Sequence, residues 1–191
     1  MRIYSTTLAV GLLGLLASGA AYADQFGPEP PLTLTHFTFD AGFTGGGDKL
    51  VDVTFSDGSS QSLYAGDSGY LDFGVLQDFG DPHWSLKGTL GYAYAAINAS
   101  NATISFSHIP LEVTGIYNLG RNHFGFGLRY DVNPRLDLDG LGPNGNFDNA
   151  LGWLVEYRWW LFGVRYTNIT YRSPQGDVNG NNLGIFFNYS F

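Results

Sequence analysis

Charged side chains recur at alternate positions within apolar segments of this chain, and this pattern predicts ion pairing away from water. Glu112 stands between two aliphatic residues, and Arg129 stands between a leucine and a tyrosine. In an extended strand, alternate side chains point to opposite faces, so these charges share a face that the apolar residues do not. An unpaired charge in a narrow, poorly hydrated interior is costly. We therefore expect these residues to pair inside a closed β-structure.

The expected interior network draws on both signs of charge. Its members are expected to be Asp40, Asp72, Lys87, Glu112, Arg129, Asp131, Glu156, Arg158 and Arg165. Arg135 is expected on the same inner face, and Glu112 and Arg129 are expected to be near neighbours in adjacent strands. Inward glycines such as Gly91 leave space for long side chains. The favoured interpretation is a packed, satisfied polar interior without an open channel; the alternative is a gate or an ion path.

Nucleophilic catalysis would need a serine, a histidine and an orienting acid in contact. Among the four histidines, only His108 is expected near the long loops, where Ser105 and Ser107 are its neighbours in sequence. Ser107 and His108 are adjacent on a strand and therefore face opposite ways. Glu112 shares the face of His108, but it lies about 13 Å further along at the usual rise per residue. No catalytic residues are predicted.

Acidic residues in the longer connections offer oxygen ligands. Asp137, Asp139 and Asp148 form one group, and Asp177 with Asn179 forms another. Neither group has the spacing of an EF-hand loop. A solvated loop is the favoured interpretation, and weak binding of a divalent cation is the alternative. No metal and no other cofactor is predicted.

Eight segments alternate apolar and polar residues with a period of two, which is typical of strands with one apolar face. The predicted strands span 34–43, 68–79, 84–97, 104–119, 123–136, 147–159, 161–172 and 182–191. The last of them carries Leu183, Ile185, Phe187, Tyr189 and Phe191 on one side. Such a face is stable only against an apolar surrounding, and a transmembrane β-barrel places it against lipid.

Short and long connections alternate along the chain. The short ones are 80–83, 120–122 and 159–160; the long ones are 44–67, 98–103, 137–146 and 173–181. This layout predicts an all-β fold, an eight-stranded antiparallel up-and-down transmembrane β-barrel with both termini in the periplasm. Residues 49–56 and 61–64 flank an Asp57-Gly58 turn and are interpreted as a hairpin of the first long loop, standing above the membrane. If both spanned the membrane, the barrel would have ten strands.

Aromatic residues gather beside the short turns. Phe79, Trp84, Trp159 and Trp160 are predicted to form a girdle at the periplasmic interface. Aromatic rings with a polar group prefer the headgroup layer, where they are partly hydrated. An ordinary aromatic core does not explain why these residues gather at one rim.

The amino-terminal region reads as a secretory signal peptide over residues 1–23. Arg2 supplies the positive charge, residues 8–17 form a short apolar core, and Ala21-Tyr22-Ala23 is a small-x-small cleavage site. A retained anchor is the alternative. Proline-rich residues 24–33 are predicted to be a periplasmic lead-in, followed by the barrel over 34–191. The chain has no cysteine and a formal net charge of −8, which argues against disulfides and against nucleic acid as a partner.

The assembled pattern resembles the small eight-stranded outer-membrane barrels of Gram-negative bacteria, of the OmpA membrane domain, OmpX and OmpW types. The resemblance covers essentially the whole mature chain, and its most specific part is a carboxy-terminal assembly signal. Asn182, Gly184, Phe187, Tyr189 and Phe191 match that signal. The resemblance implies that the barrel assembly machinery reads these residues. The His-x-Ser arrangement of the lipid A deacylase barrels is absent.

The resemblance implies a monomer in the outer membrane of a Gram-negative bacterium, in contact with outer-membrane lipids and lipopolysaccharide. The preferred hypothesis is a non-enzymatic, porin-like cell-envelope protein with a structural or surface-interaction role, whose loops are the working surface. The alternative is a narrow passage for small hydrophobic or ionic solutes, as in the OmpW type, with Pro110 weakening one seam of the wall. A lipid A-modifying enzyme is the third and least favoured hypothesis.

Overall fold

The computed structural model describes residues 34–55, 57–99 and 102–191. The signal peptide predicted over 1–23 and the lead-in predicted over 24–33 lie outside these residues. Within the described ranges, no helix has the length and apolar character needed to cross a membrane.

Thirteen β-strands follow one another along the described chain. They are β1 (Thr35–Gly45), β2 (Lys49–Thr54), β3 (Ser60–Tyr64), β4 (Ser68–Asp78), β5 (Trp84–Asn98), β6 (Thr103–Leu119), β7 (Asn122–Asp137), β8 (Gly145–Asn146), β9 (Ala150–Trp159), β10 (Phe162–Asn168), β11 (Thr170–Ser173), β12 (Gly176–Asn179) and β13 (Asn182–Ser190).

Eight of these strands close into an antiparallel barrel. Their order around the wall is β6-β5-β4-β1-β13-β10-β9-β7, and β7 pairs with β6 to complete the ring. The first and last barrel strands meet with Thr38 opposite Ser190. The backbones of Phe37 and Phe191 also exchange two hydrogen bonds at the rim, of 3.0 and 2.9 Å. Because closure leaves no unpaired edge in the wall, every barrel strand has two partners. The predicted eight-stranded fold class is confirmed.

The barrel wall has an apolar outer face on every strand. Large exposed residues include Phe37, Phe43, Phe73, Leu90, Tyr92, Phe126, Leu151, Val164, Leu183 and Ile185. The alternate residues of the same strands are buried in the interior, as the two-residue period requires. Exposed aromatic and aliphatic side chains in a continuous band would be costly in water, but they match a hydrocarbon surrounding.

The barrel ends differ, with short turns at one end and long loops at the other. Gly120 has a φ of 62° in the tight β6–β7 turn, a conformation that glycine adopts without steric cost. At the loop end, β2 and β3 pair only with each other, which excludes the ten-stranded alternative. The hairpin does more than stand above the barrel, because Leu63 and Ala65 are buried in an apolar cluster with residues from the barrel strands.

The predicted seventh strand was too long. Only Phe162–Asn168 belongs to the barrel; the continuation Thr170–Ser173 pairs with β12 in a separate hairpin. The change of partner is stabilised locally, since Asn181 Oδ1 accepts the Ile169 amide at 2.8 Å and the Gly180 amide donates to the Ile169 carbonyl at 2.9 Å. The sixth barrel strand likewise begins later than predicted, at Ala150.

Arg135 does not point inward, so that expectation was wrong. The β6–β7 register shifts between Ser107 and Ile109, and Asn133 opposite the shift has a φ of 53°. This bulge inserts one residue and reverses the faces beyond it. Arg135 is therefore exposed and lies 3.4 Å from Asp137 at the loop end.

Candidate functional site: an ionic layer inside the barrel

The interior holds a layer of eight buried charged residues at mid-height, which we call the ionic layer. It consists of Asp40, Asp72, Lys87, Glu112, Arg129, Asp131, Glu156 and Arg165. Seven barrel strands contribute these residues, all at inward positions of the alternation. The eighth strand, β13, contributes Asn188, whose Nδ2 donates to Thr38 Oγ1 at 2.8 Å and to Asp40 Oδ1. The whole circumference of the barrel thus takes part in one polar layer.

Arg165 is the hub of the ionic layer. Its Nη2 lies 2.7 Å from Glu156 Oε2, and its Nη1 lies 3.0 Å from Glu112 Oε2. Nη2 is also 3.3 Å from Asp40 Oδ2. These three carboxylates belong to β9, β6 and β1, on different sides of the wall. The guanidinium therefore bridges the bore with charge-assisted hydrogen bonds, of which the one to Glu112 reaches Oε1 at 3.3 Å.

Lys87 is a second cation that links the acids of β1 and β9. Its Nζ lies 2.8 Å from Asp40 Oδ2 and 3.0 Å from Glu156 Oε1. Both carboxylates also contact Arg165, so the four residues form one closed group. Because each buried charge has at least one opposite partner, the group avoids the large cost of an isolated buried ion.

Arg129 forms the branch that faces the long loops. Its Nη1 lies 3.1 Å from Glu112 Oε1 and its Nε lies 2.8 Å from Asp131 Oδ1. Its Nη2 lies 2.8 Å from His108 Nε2, which must accept because a guanidinium only donates. Tyr171 of β11 adds a hydrogen bond from its hydroxyl to Asp131 Oδ2 at 2.6 Å. A residue from a loop hairpin is thus tied to the barrel interior.

Aromatic faces cover the hub. The Arg165 guanidinium lies 5.0 Å from the ring centre of Phe186 and 5.6 Å from that of Tyr70. Lys87 Nζ lies 5.8 Å from the same Phe186 ring. These distances suit cation–π attraction, which is stronger in a desolvated site.

The network expected from the sequence left out five side chains that complete the layer. They are Tyr70, His108, Tyr171, Phe186 and Asn188. The sequence did contain one signal for these residues, because each of them lies at an inward position in the two-residue alternation of its strand. They were left out because they are apolar or neutral and the expected network was drawn from charged residues alone, although His108 was already placed on the face of Glu112.

Arg158 was expected in the network, and the structure does not bring it there. It is half-buried near the short turns, where its Nη1 donates to the Trp160 carbonyl. Within the described ranges, no carboxylate oxygen lies within 4 Å of the Arg158 guanidinium. Arg158 is the next inward residue after Glu156 on β9 and lies closer to the short turns. The nearby Glu156 carboxylate is already paired with Lys87 and Arg165.

The residues of the predicted girdle and assembly signal lie as follows. Phe79, Trp84, Trp159 and Trp160 are all exposed beside the short turns. On β13, Asn182 and Gly184 are buried on the inner side, whereas Tyr189 is exposed on the outer side and Phe187 lies beside Phe162 on the same outer side. Phe191 stacks on Tyr189 with ring centres 6.1 Å apart.

No hydrolase arrangement forms around His108. Its Nε2 is engaged by Arg129, and Ser107 lies on the opposite face of β6. Arg129 lies between His108 and Glu112, so the two do not meet; the acid beside His108 is Asp131, at 3.5 Å. Within the described ranges no three His, Cys, Asp or Glu side chains converge to hold a metal ion. Asp137 and Asp139 instead accept backbone amides, from Asp139 and Thr103.

No family model and no curated protein matches the sequence. Several solved structures are similar in fold. Ail of Yersinia pestis, crystallised with the heparin analogue sucrose octasulfate, has 9% identity and a TM-score of 0.41; the match covers 81% of this chain and 97% of Ail. Neisserial surface protein A has 10% identity and a TM-score of 0.42, with 81% and 97% covered.

The third structure is the amino-terminal barrel domain of Pseudomonas aeruginosa OprF, with 14% identity, a TM-score of 0.34, and 81% and 97% of the two chains covered. Similarity at this level assigns neither a family nor a function to the chain. Its class rests on its own architecture: a closed antiparallel wall, an apolar exterior on every strand, a buried ionic layer, and short turns opposite long loops. The chain is a small eight-stranded β-barrel of the outer-membrane type.

Proposed function

We propose that the protein is a closed, non-enzymatic outer-membrane barrel whose long loops form its working surface, in a structural or surface-interaction role. The observation that carries this proposal is the double obstruction of the interior, first by the ionic layer and then by an apolar cap at the loop end. A solute crossing the barrel would have to displace both.

The ionic layer obstructs the bore because its side chains reach across it. Arg165 of β10 contacts Glu112 of β6 and Asp40 of β1. Opening a path requires these contacts to break while the charges remain buried, at a cost of several kcal/mol per ion. The ionic layer therefore suits a permanent core better than an open pore.

The apolar cap closes the loop end. It consists of Leu63, Ala65, Ile97, Ile104, Phe106, Leu136, Ala150, Ile169 and Tyr171. Two loop hairpins, β2–β3 and β11–β12, contribute to it together with strand ends of β5, β6, β7 and β9. An apolar, close-packed region excludes water. The hairpins are thereby held in fixed positions, which gives the outer surface a defined shape for binding a partner.

Conductance of the purified barrel in planar lipid bilayers tests this proposal. We expect no stepwise current at moderate voltage, for the wild type and for a variant with an altered loop surface such as Leu141→Ala. Regular single-channel steps in the wild type would overturn the closed-barrel proposal. A role for the loops is tested separately. Replacing exposed loop residues should abolish binding of an external partner to the protein, while the yield of folded barrel should stay unchanged.

The proposed setting is the outer membrane of a Gram-negative bacterium, with lipid and lipopolysaccharide around a monomeric barrel. The band of exposed apolar residues supports lipid contact. The proposal includes delivery by the barrel assembly machinery through Asn182, Gly184, Phe187, Tyr189 and Phe191. Heat-modifiable migration on gels, with recovery in outer-membrane fractions, is the expected behaviour; recovery as a soluble periplasmic protein would contradict it.

A narrow passage for small hydrophobic or ionic solutes is the second candidate, and one observation favours it. Pro110 lies inside β6 and has no amide hydrogen to donate to the ladder. The β5–β6 register has no paired residues between Leu90 opposite Leu111 and Ala93 opposite His108. This gap is a weak point in the wall. Pro110→Ala, which restores a donor, should slow solute entry into liposomes if the passage exists and change nothing if it does not.

Lipid A modification is the enzymatic alternative. The engaged His108 and the outward Ser107 do not support it. Mass spectrometry of lipid A from cells with and without the gene decides the matter. Identical spectra are expected, and a gene-dependent change in acyl chains would overturn the non-enzymatic proposal.

A further inference from the structure

Asp72 is the carboxylate of the ionic layer with the weakest compensation. It is buried, and neither of its oxygens has a hydrogen-bond partner within the described ranges. Arg165 Nη1 lies 3.8 Å from Asp72 Oδ2, but it also lies 3.0 Å from Glu112 Oε2. Across the β1–β4 ladder, the direct partner of Asp72 is Asp40, which bears the same charge. Like charges directly opposite one another destabilise a sheet.

The ionic layer as a whole has too few cations. It contains five carboxylates (Asp40, Asp72, Glu112, Asp131 and Glu156) and three cationic side chains (Lys87, Arg129 and Arg165). His108 does not make up the difference, because its Nε2 accepts from Arg129 and the ring is therefore neutral. Arg158 is hydrogen-bonded to a backbone carbonyl closer to the short turns. A buried excess of negative charge is costly unless another cation compensates it.

Unpartnered oxygens gather on the same side of the interior. Thr89 faces inward on β5, directly opposite Glu112 on β6 and two residues from Gly91, the register partner of Asp72. The hydroxyl of Thr89 is buried without a partner in the described chain, as is that of Thr114. Three adjacent strands, β4, β5 and β6, thus present buried side-chain oxygens that have no hydrogen-bond partner within the described ranges.

Gly91 shapes this space. A Cβ at position 91 would lie 1.7 Å from Asp72 Oδ1, so the Asp72 side chain leans over the glycine, toward the strand that carries Thr89. Glycine at position 91 therefore permits this direction of the Asp72 side chain, which a larger residue would block.

We propose that Asp72, Glu112 and Thr89 hold a small monovalent cation, with sodium as the expected occupant. An all-oxygen ligand set with two carboxylates suits a hard cation. A monovalent ion fits better than a divalent one, because no third carboxylate or imidazole converges within the described chain and the Arg165 guanidinium lies 3.0 Å from Glu112 Oε2. This site is independent of whatever the loops bind.

Thermal unfolding of the purified barrel in detergent tests the site. The unfolding midpoint is measured in sodium chloride and in choline chloride at equal ionic strength, since the trimethylated ammonium of choline cannot be coordinated closely by carboxylate oxygens. We expect a midpoint several degrees higher in sodium for the wild type, and no such difference for Asp72→Asn. Asp57→Asn, at the exposed tip of the β2–β3 hairpin, is the matched control and should keep the difference. Equal wild-type midpoints in both salts would overturn the proposal.

Anomalous diffraction from crystals soaked in a thallium salt gives a second, direct test on the unchanged protein. A thallium peak within bonding distance of Asp72 and Glu112 supports the site. Peaks confined to the outer surface, an adventitious ion only, would overturn it. Density without anomalous signal at the same place would identify water and would also overturn it. A midpoint that follows pH but not sodium would assign a proton to the carboxylate and refute the cation.

Discussion

Glu156 and Arg165 face each other directly across the β9–β10 ladder, with Arg165 Nη2 2.7 Å from Glu156 Oε2. This pair is local, since one short turn separates its two strands. The same guanidinium then extends to Glu112 on β6, on another side of the wall. A local pair and a contact across the bore thus share one side chain, so the integrity of the interior depends heavily on it.

Replacing Arg165 with methionine should destabilise the barrel strongly. The substitution keeps a long side chain but leaves Asp40, Glu112 and Glu156 short of a cation, and breaking a buried ion pair from one side costs about 3–5 kcal/mol. The free energy of unfolding is measured by urea titration of the barrel in lipid vesicles. Arg172→Met is the control, because Arg172 is exposed and its nearest acid, Asp177, is 3.9 Å away. Similar stabilities for the two variants would contradict the hub role of Arg165.

Gly91→Ala should also destabilise the barrel, by a steric route. The added methyl group would lie 1.7 Å from Asp72 Oδ1 and 2.6 Å from the Leu71 carbonyl, so both the carboxylate and the strand must move. We expect a loss of about 1–3 kcal/mol, as for overpacking in other cores. Gly115→Ala is the matched control, since its Cβ would meet only the Phe126 carbonyl at 3.8 Å. A neutral Gly91→Ala would show that Asp72 is free to turn away.

Leu63→Ala should release the β2–β3 hairpin from the apolar cap. Leu63 is buried in the cap, and truncating a buried leucine costs about 2–5 kcal/mol. Because the barrel wall does not depend on this hairpin, the loss should appear as local unfolding of β2, which would let trypsin cleave after the already exposed Lys49. Cleavage is followed on gels under native conditions. Gln61→Ala, an exposed change on the same strand, should remain resistant; equal cleavage of both variants would refute the cap.

Deleting Phe191 should slow assembly of the folded barrel in cells. The deletion removes two backbone hydrogen bonds to Phe37 and the aromatic contact with Tyr189 at the closing seam. It also removes the final aromatic residue of the proposed assembly signal. Pulse-labelling followed by heat-modifiable gel migration measures the rate. Leu141→Ala, in an exposed loop, should fold at the normal rate, and an equal delay in both would contradict the proposal.

The faces of the strands were predictable from the sequence because a two-residue period leaves only two choices for each segment. Once the apolar residues are assigned to lipid, Glu112, Glu156 and Arg165 must point inward. Arg135 could not be placed in this way, since one bulged residue at Asn133 reverses every later face and has no strong local signal.

The partners of each charge were not predictable, because they depend on the stagger of strands that are distant in sequence. Arg165 contacts Asp40, 125 residues away, only because the closed wall brings β10 and β1 to the same height. Arg158 illustrates the opposite case. Its side chain was predicted on the correct face of the strand, but it lies too close to the short turns to reach the ionic layer. Tyr171 was hidden further, because its strand leaves the wall and returns over the bore.

Seven of the eight seams in the wall join strands that follow one another around the barrel in chain order, and only β13 with β1 does not. Hairpins can therefore form one after another at low entropic cost, while the remaining seam requires the two ends of a long sheet to find each other. Until that meeting, both terminal strands expose unpaired backbone groups that hydrocarbon cannot solvate. Pairing of β13 with β1 is therefore the step that satisfies the last unpaired backbone groups, and we expect stable insertion into the bilayer to be coupled to it.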